Sequence, residues 1–103
     1  MAIQPKDFDE YGYYKYVAFE DGSVLFGDYL NDTHRNLADT VSALPIGAGT
    51  IKTKRKAWIF GEPGSMTLRM AGNCQRCEDA IKAVLGPDWT FFESKYDDGW
   101  EKA

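Results

Sequence analysis

The segment 50–72 constrains the fold more than any other part of the chain, because it has the pattern of a β-hairpin. Residues 50–60 and 65–70 are two runs rich in β-forming residues, and residues 61–64 between them contain the Pro-Gly pair that is typical of a turn. Successive side chains of a strand point to opposite faces of a sheet. We therefore predict a central hairpin whose two faces differ in composition.

One face of this predicted hairpin is apolar, and the other is both basic and aromatic. The apolar face consists of Ala57, Ile59, Met66, Leu68 and Met70. The opposite face consists of Lys52, Lys54, Lys56, Trp58, Phe60, Thr67 and Arg69. Lysines are common on edge strands, where they block aggregation, but edge protection does not explain the two rings. We expect Trp58 and Phe60 either to be covered by the C-terminal tail around Trp100 or to bind a partner.

A second hairpin is predicted over residues 13–30. Asp21 and Gly22 lie between two alternating runs and favour a two-residue type I′ turn, which would pair Phe19 with Val24 and Val17 with Phe26. In this register one face is apolar, and the opposite face collects Tyr14, Tyr16, Ala18, Leu25 and Tyr29. Tyrosine tolerates water and also attracts partners, so we expect this second face to be accessible.

Two helices are predicted between the strands. The first is capped by Asp32 or Thr33 and ends at Pro45, and it has an apolar stripe of Leu37, Val41 and Leu44. Residues 45–49 would link it to the central hairpin. The second helix is capped by Asn73 and ends at Gly86, and its stripe is Cys74, Cys77, Ile81 and Val84. A last strand is predicted over residues 89–96.

The resulting order of elements is ββα-ββα-β, which is typical of an α+β fold. The simplest assembly is one mostly antiparallel sheet of about five strands with both helices packed on one face. A chain of 103 residues has room for one two-layer core, so residues 1–103 are predicted to be a single domain. Residues 1–12 would form an N-terminal arm, and residues 97–103 either an aromatic anchor or a mobile tail.

The charge of the chain is distributed unevenly. The net charge is −4, but residues 1–34 carry two lysines against seven acidic residues, residues 35–76 carry seven cations against two acids, and residues 77–103 carry three lysines against seven acids. An acidic total disfavours indiscriminate binding to nucleic acid, which depends on neutralising phosphates. The basic centre would either bind an anionic partner or be neutralised by the acidic ends.

Several features favour a cytoplasmic location. The sequence has no apolar run of the ~20 residues that a membrane span needs. Its start, residues 1–7, lacks the apolar region of a secretory signal. Two cysteines without such a signal are typical of a reducing compartment, so we expect a cytoplasmic protein that does not enter membranes.

The two motifs that suggest chemistry are incomplete. Cys74 and Cys77 form a lone Cys-x-x-Cys pair, whereas a structural zinc site needs four ligands. A thiol redox role stays open, but both cysteines share a stripe with Ile81 and are better explained as buried structural thiols. Asp32 and His34 offer a carboxylate and an imidazole, but no motif supplies the nucleophile that acyl transfer requires. We therefore expect no catalytic residues, no metal and no cofactor.

The sequence is most consistent with a small acidic binding or regulatory protein, for instance a phage-type inhibitor or bacterial accessory protein. We expect it to contact a macromolecular partner, in the first place a protein, through an aromatic and lysine-rich sheet face. The predicted contact residues are Tyr14, Tyr16, Tyr29, Lys52, Lys54, Lys56, Trp58, Phe60 and Arg69. The alternative is a module that binds single-stranded DNA or RNA through the same face, since such modules combine basic side chains with stacking rings. A thiol redox protein is a distant third, and a homodimer is also open.

Overall fold

A computed structural model describes residues 3–61 and 75–91, which form a five-stranded sheet and two helices. The elements in chain order are β1 (Tyr11–Phe19), β2 (Val24–Asp28), α1 (His34–Asp39), β3 (Pro45–Lys54), β4 (Ala57–Phe60), α2 (Gln75–Leu85) and β5 (Thr90–Phe91). The strands lie in the order β2-β1-β3-β4-β5, and neighbouring strands are antiparallel except for the parallel pair β4–β5. The mostly antiparallel α+β sheet is therefore confirmed. The predicted return strand 65–70 lies outside the described residues.

The β1–β2 hairpin forms, but its register differs by one residue from the predicted one. Tyr16, rather than Val17, lies opposite Phe26. The loop has three residues instead of two, because the amide of Phe19 donates to the carbonyl of Ser23 at 2.9 Å and Gly22 closes the turn with a φ of 90°. A shift of one residue moves a whole side-chain set to the other face, so Phe26 shares a face with Tyr16.

As a result, the second half of β1 is buried on both of its faces, and two separate core clusters form. The first cluster lies against α2 and contains Tyr14, Tyr16, Ala18, Val24, Phe26, Ile51, Trp58, Cys77, Ile81 and Leu85. The second lies against α1 and contains Val17, Phe19, Leu37 and Ala48. Because Tyr16 and Val17 point to opposite faces, the two helices cover opposite faces of the sheet.

The prediction that both helices pack on one face is therefore wrong. Its error was to treat the tyrosines of β1 as a surface feature. Their rings supply apolar area to the core, and the buried hydroxyl of Tyr14 is satisfied because it accepts a hydrogen bond from the Asp9 amide at 2.7 Å. With apolar or aromatic side chains on both faces, the central strand needs cover on both sides.

Helix α1 begins as predicted but ends early. The side chain of Thr33 accepts a hydrogen bond from the Asn36 amide at 3.0 Å, which satisfies one of the unpaired donors of the first turn. The helix ends at Asp39, and Leu44 is exposed rather than part of a buried stripe. In α2 the buried stripe is Cys77, Ile81 and Leu85, while Val84 is exposed. Cys74 lies outside the described residues.

The predicted linker 45–49 is in fact the first half of β3, which pairs with β1 along its length. Its glycines serve close packing rather than chain flexibility. Gly49 lies opposite Tyr16, and a Cβ atom at this position would lie 3.0 Å from a carbon of the Tyr16 ring. The ring therefore occupies the space that any other side chain would need.

The predicted single strand 50–60 is two strands joined by a tight turn at Arg55 and Lys56. Lys54 pairs directly with Ala57, and the two turn residues have φ values of 50° and 68°. Positive φ at both central residues is the geometry of a type I′ turn. The turn folds β4 back on β3. The alternation of side chains between the two faces that we predicted for a single strand therefore holds only as far as Lys54.

This turn separates the lysines from the aromatic rings. Trp58 lies opposite Thr53, whereas Lys52 lies opposite Ile59. Directly paired residues share a face, so Trp58 points to the α2 side and Lys52 to the other. The predicted face that combines the lysines with Trp58 and Phe60 is therefore wrong.

The N-terminal arm packs over the edge of the sheet. The amide of Ile3 donates to the carbonyl of Phe26 on β2 at 2.8 Å, and Pro5–Asp7 forms a turn of 3-10 helix. Phe8 then stacks on Tyr14 with ring centres 4.3 Å apart. In the part of the chain that the structure describes, no helix has the length and apolar character to cross a membrane.

Candidate functional site

Most of the aromatic residues that we predicted to bind a partner belong to the core. Tyr16 and Trp58 are 0% exposed and Tyr14 is 6% exposed, all in the cluster beneath α2. Phe60 is half-buried and packs against the same cluster. Arg69 lies outside the described residues. The rings of Tyr14, Tyr16, Trp58 and Phe60 stabilise the fold from the α2 side of the sheet.

The remaining lysines of β3 meet a different set of aromatic residues on the opposite side. In the β1–β3 register, Tyr11 faces Lys54 and Tyr13 faces Lys52. Tyr29, just after β2, joins them through its contact with Tyr13. We call this surface the tyrosine–lysine face, and it consists of Tyr11, Tyr13, Lys15, Tyr29, Lys52 and Lys54.

Four of the six side chains of the tyrosine–lysine face form one connected array, namely Tyr13, Lys15, Tyr29 and Lys52. The rings of Tyr13 and Tyr29 are 4.3 Å apart in an edge-to-face arrangement. The Nζ atom of Lys52 lies 5.6 Å from the centre of the Tyr13 ring, and that of Lys15 lies 5.6 Å from the centre of the Tyr29 ring. Cation–π contacts of this kind contribute about 0.5–1 kcal/mol each at exposed sites. The side chains therefore hold one another in place.

Polar contacts to the scaffold fix the same array. The hydroxyl of Tyr13 and the side-chain oxygen of Thr50 are 3.2 Å apart and share a hydrogen bond. The ammonium of Lys15 donates to the carbonyl of Asp32 at 2.7 Å. These bonds connect the face to β3 and to the segment before α1, so its position depends on the folded sheet.

The turn after β2 presents Tyr29. The carboxylate of Asp28 accepts hydrogen bonds from the amides of Leu30 at 2.7 Å and Asn31 at 3.3 Å. These bonds, that from Leu30 above all, hold the pKa of Asp28 below its ordinary value, because they stabilise the ionised carboxylate. The turn leaves Tyr29 42% exposed, and Tyr11 at the other end of the face is 58% exposed.

Lys56 lies apart from the other lysines, in the turn between β3 and β4. Its Nζ atom is 4.9 Å from the centre of the Trp89 ring, on the side of the molecule where Phe8 also packs. Of the nine predicted contact residues, the structure thus brings three together on the tyrosine–lysine face: Tyr29, Lys52 and Lys54.

Three residues of the two incomplete chemical motifs, Asp32, His34 and Cys77, lie in the described part of the chain. The imidazole of His34 donates through Nε2 to the carbonyl of Gly49 at 2.8 Å, since a carbonyl oxygen can only accept. The carboxylate of Asp32 accepts from the Asp28 amide at 2.7 Å. Cys77 is buried in the core beneath α2. Within the described ranges, no group of three or more His, Cys, Asp or Glu side chains could hold a metal ion.

Sequence reasoning missed Tyr11, Tyr13 and Lys15. A signal for them exists, because they occupy alternate positions of β1 in the same parity as Val17 and Phe19. On this face of β1, the residues at the C-terminal end are apolar and those at the N-terminal end are polar. This pattern is typical of a face that a short helix covers only in part. Helix α1 packs on the apolar end, and the tyrosine–lysine face is the other end.

No protein-family model, curated protein or solved structure matches this chain.

Proposed function

We propose that the protein is a non-catalytic binding protein of the cytoplasm that docks its tyrosine–lysine face on an acidic surface of a protein partner. By occupying that surface it would regulate or inhibit the partner. The observation that carries the proposal is that three tyrosines and three lysines lie together on one half of a sheet face, four of them joined by ring and cation–π contacts, with Tyr11 and Tyr29 the most exposed of the rings. Tyrosine is enriched at interface hot spots because it buries a large amphipathic ring.

The side chains of this face are already held in place before a partner binds, which supports the proposed function. Immobilising a side chain on association costs roughly 0.5–1.5 kcal/mol when the side chain is free beforehand. Tyr13, Lys15 and Lys52 already have contacts to neighbouring rings, to Thr50 or to a backbone carbonyl. A partner would therefore lose less free energy to ordering this face than to ordering an ordinary lysine-rich surface.

Charge favours an acidic protein over nucleic acid as the partner. The lysines of the face attract anions, but the chain carries a net charge of −4, with acidic excess in both its first and last thirds. The net negative charge of the chain repels a polyanion that extends beyond the face. The ammonium groups over Tyr13 and Tyr29 also occupy ring surface that a stacking base would use. A compact acidic patch on a protein does not extend beyond the face and does not need to stack on the rings.

The test uses the full-length protein and two matched pairs of variants. Tyr29→Ala and Lys52→Ala change the face, and Leu44→Ala and Lys82→Ala remove an exposed apolar and an exposed cationic side chain elsewhere. Complexes are recovered from the source cells with and without nuclease and weighed by native mass spectrometry. The partner is then purified and its affinity measured by calorimetry at two salt concentrations.

We expect a nuclease-resistant complex with one protein partner. Tyr29→Ala should weaken it about 30-fold, which corresponds to a hot spot of about 2 kcal/mol. Lys52→Ala should mainly slow association, and both control variants should bind like the wild type. A complex that nuclease destroys, with affinity for single-stranded DNA or RNA that falls steeply with salt, would instead establish the nucleic-acid function. A homodimer as the sole complex would also contradict the proposal.

A further inference from the structure

A cavity of about 450 Å³ lies beside the β3–β4 turn, next to the Tyr11 end of the tyrosine–lysine face. It is lined by Phe8, Asp9, Glu10, Arg55, Lys56 and Trp89. Its volume is in the range of sites that bind small molecules. Its lining combines two aromatic rings, two cations and two carboxylates, a mixture that would suit a ligand with both a ring and a charge.

The aromatic part of the lining is rigid. Phe8 packs edge-to-face on Trp89 with ring centres 5.8 Å apart, and it stacks on the buried Tyr14 at 4.3 Å. Trp89 is half-buried. The two rings are thus fixed to the core on one side and present apolar surface to the cavity on the other, which is the usual arrangement in a preformed pocket.

The cations come from a turn whose backbone is unfavourable for them. Arg55 and Lys56 have φ values of 50° and 68°, where Asn-Gly would be the preferred sequence. Non-glycine residues in this region are strained, and such strain is concentrated at functional sites. The turn is held by two backbone bonds of 2.9 Å, from the Arg55 amide to the Glu10 carbonyl and from the Thr90 amide to the Lys56 carbonyl. The structure thus places an arginine and a lysine at the cavity despite a conformational cost.

The present contacts of these cations are ones that an anion could replace. The guanidinium Nε of Arg55 donates to the Tyr11 hydroxyl at 3.0 Å and lies 3.7 Å from a carboxylate oxygen of Glu10, and both charged side chains of this pair are largely exposed. The ammonium of Lys56 lies over the Trp89 ring at 4.9 Å. Exposed pairs and cation–π contacts are individually weak, whereas arginine binds carboxylate or phosphate through two parallel hydrogen bonds.

We propose that this cavity binds a small aromatic anion, a molecule with one planar ring system and one carboxylate or phosphate group. The ring packs against Trp89 and Phe8, and the anionic group binds to Arg55 and Lys56. Lys56 exchanges the Trp89 ring for the anion, which opens the ring to the ligand. Asp9 and Glu10 accept hydrogen bonds from ring N–H or amino groups and disfavour ligands of higher negative charge.

Nucleotides and aromatic carboxylates both combine a planar ring with an anionic group, and direct titration distinguishes the two classes. Adenosine 5′-monophosphate represents nucleotides, and indole-3-acetate represents aromatic carboxylates. Adenosine lacks the charge and inorganic phosphate lacks the ring. We expect one of the two anions to bind in a 1:1 ratio by calorimetry, with a change in tryptophan fluorescence, and the two fragments to bind at least tenfold more weakly, since a charged hydrogen bond contributes about this factor.

Variants locate the binding. Lys56→Gln and Arg55→Gln should each weaken the anion about tenfold. Lys82→Gln is the matched control, because its ammonium also lies over a ring, that of Phe91 at 5.0 Å, but outside the cavity lining. The double variant Arg55→Asn/Lys56→Gly introduces a favourable turn sequence and should bind neither anion. Millimolar or weaker binding of both anions to the wild type, or undiminished binding to the double variant, would overturn the proposal.

Discussion

The indole of Trp58 packs 4.5 Å from the Phe91 ring and 5.3 Å from the Phe60 ring, measured between ring centres, and it has no exposed surface. Tyr11 is the opposite case, with more than half of its side chain exposed. Two aromatic residues of similar size therefore have different tasks. The ring of Trp58 stabilises the sheet, while the ring of Tyr11 is available for binding.

Replacing each ring by alanine distinguishes the stabilising role of Trp58 from the proposed binding role of Tyr11. Trp58→Ala should lower the free energy of unfolding by ~3–5 kcal/mol, because it leaves a large cavity in the core. Tyr11→Ala should change it by less than about 0.5 kcal/mol, as is usual at exposed positions. Urea unfolding followed by circular dichroism measures both. Similar losses for the two variants would mean that Tyr11 belongs to the core or that Trp58 does not.

Residue by residue, the sequence predicts the burial of aliphatic side chains well within an element but not near its end, where Leu44 and Val84 are exposed. Leu37, Ile59 and Ile81 are all buried, as their spacing indicates. It predicts burial poorly for tyrosine, because the ring suits a core and the hydroxyl suits water. Whether Tyr16 is inside depends on Gly49, 33 positions away in the chain, which leaves room for its ring. That contact is a property of the folded sheet and is invisible in a local pattern.

Among the elements, the β3–β4 turn is the one that local sequence rules miss. Arg55 and Lys56 are poor turn residues, and the Pro-Gly pair at residues 63–64 is a stronger turn signal nearby. The Thr33 cap of α1, in contrast, follows from the sequence because capping is a local interaction. The tyrosine–lysine face could be predicted only in part, since its residues on β1 and β3 meet through the pairing of two strands that are distant in the chain.

Replacing the turn residues tests whether they are retained despite a cost to folding. Arg55→Asn/Lys56→Gly should raise the free energy of unfolding by about 1 kcal/mol, because left-handed backbone costs roughly 1–2 kcal/mol per ordinary residue and the lost side-chain contacts offset part of the gain. Thermal and urea unfolding give the value. The control is Lys54→Gly, which lies within β3 and should be destabilising. A double variant that is less stable than the wild type would show that the turn side chains serve the fold.

In the molecule as a whole, one sheet carries two cores, and the two regions that we propose for binding lie beside them. Among the described residues, the α2 side is filled with large rings, and helix α1 covers one end of the opposite side. Because α1 is short, the other end of that side remains for Tyr13, Lys52 and their neighbours. The cavity beside the β3–β4 turn lies at the junction of the arm with the sheet. Stability and the proposed binding functions thus depend on largely different residues.

A double-mutant cycle tests this two-sided architecture. Val17→Ala, on the α1 side, should cost about 2 kcal/mol, and Ile81→Val, on the α2 side, ~0.5–1.5 kcal/mol. Val17 and Ile81 belong to separate clusters without a common packing partner, so the losses in the double variant should add to within about 0.5 kcal/mol.

The matched cycle combines Ile81→Val with Ile51→Val, which are members of one cluster. Residues that share packing partners relax together, so this pair should show a coupling free energy of about 0.5 kcal/mol or more. Both cycles are measured by urea unfolding. The slope of the unfolding free energy against urea concentration should be the same for all variants, which confirms that they unfold from the same compact state. Strong coupling between Val17 and Ile81, together with none between Ile51 and Ile81, would place the two helices on the same side of the sheet.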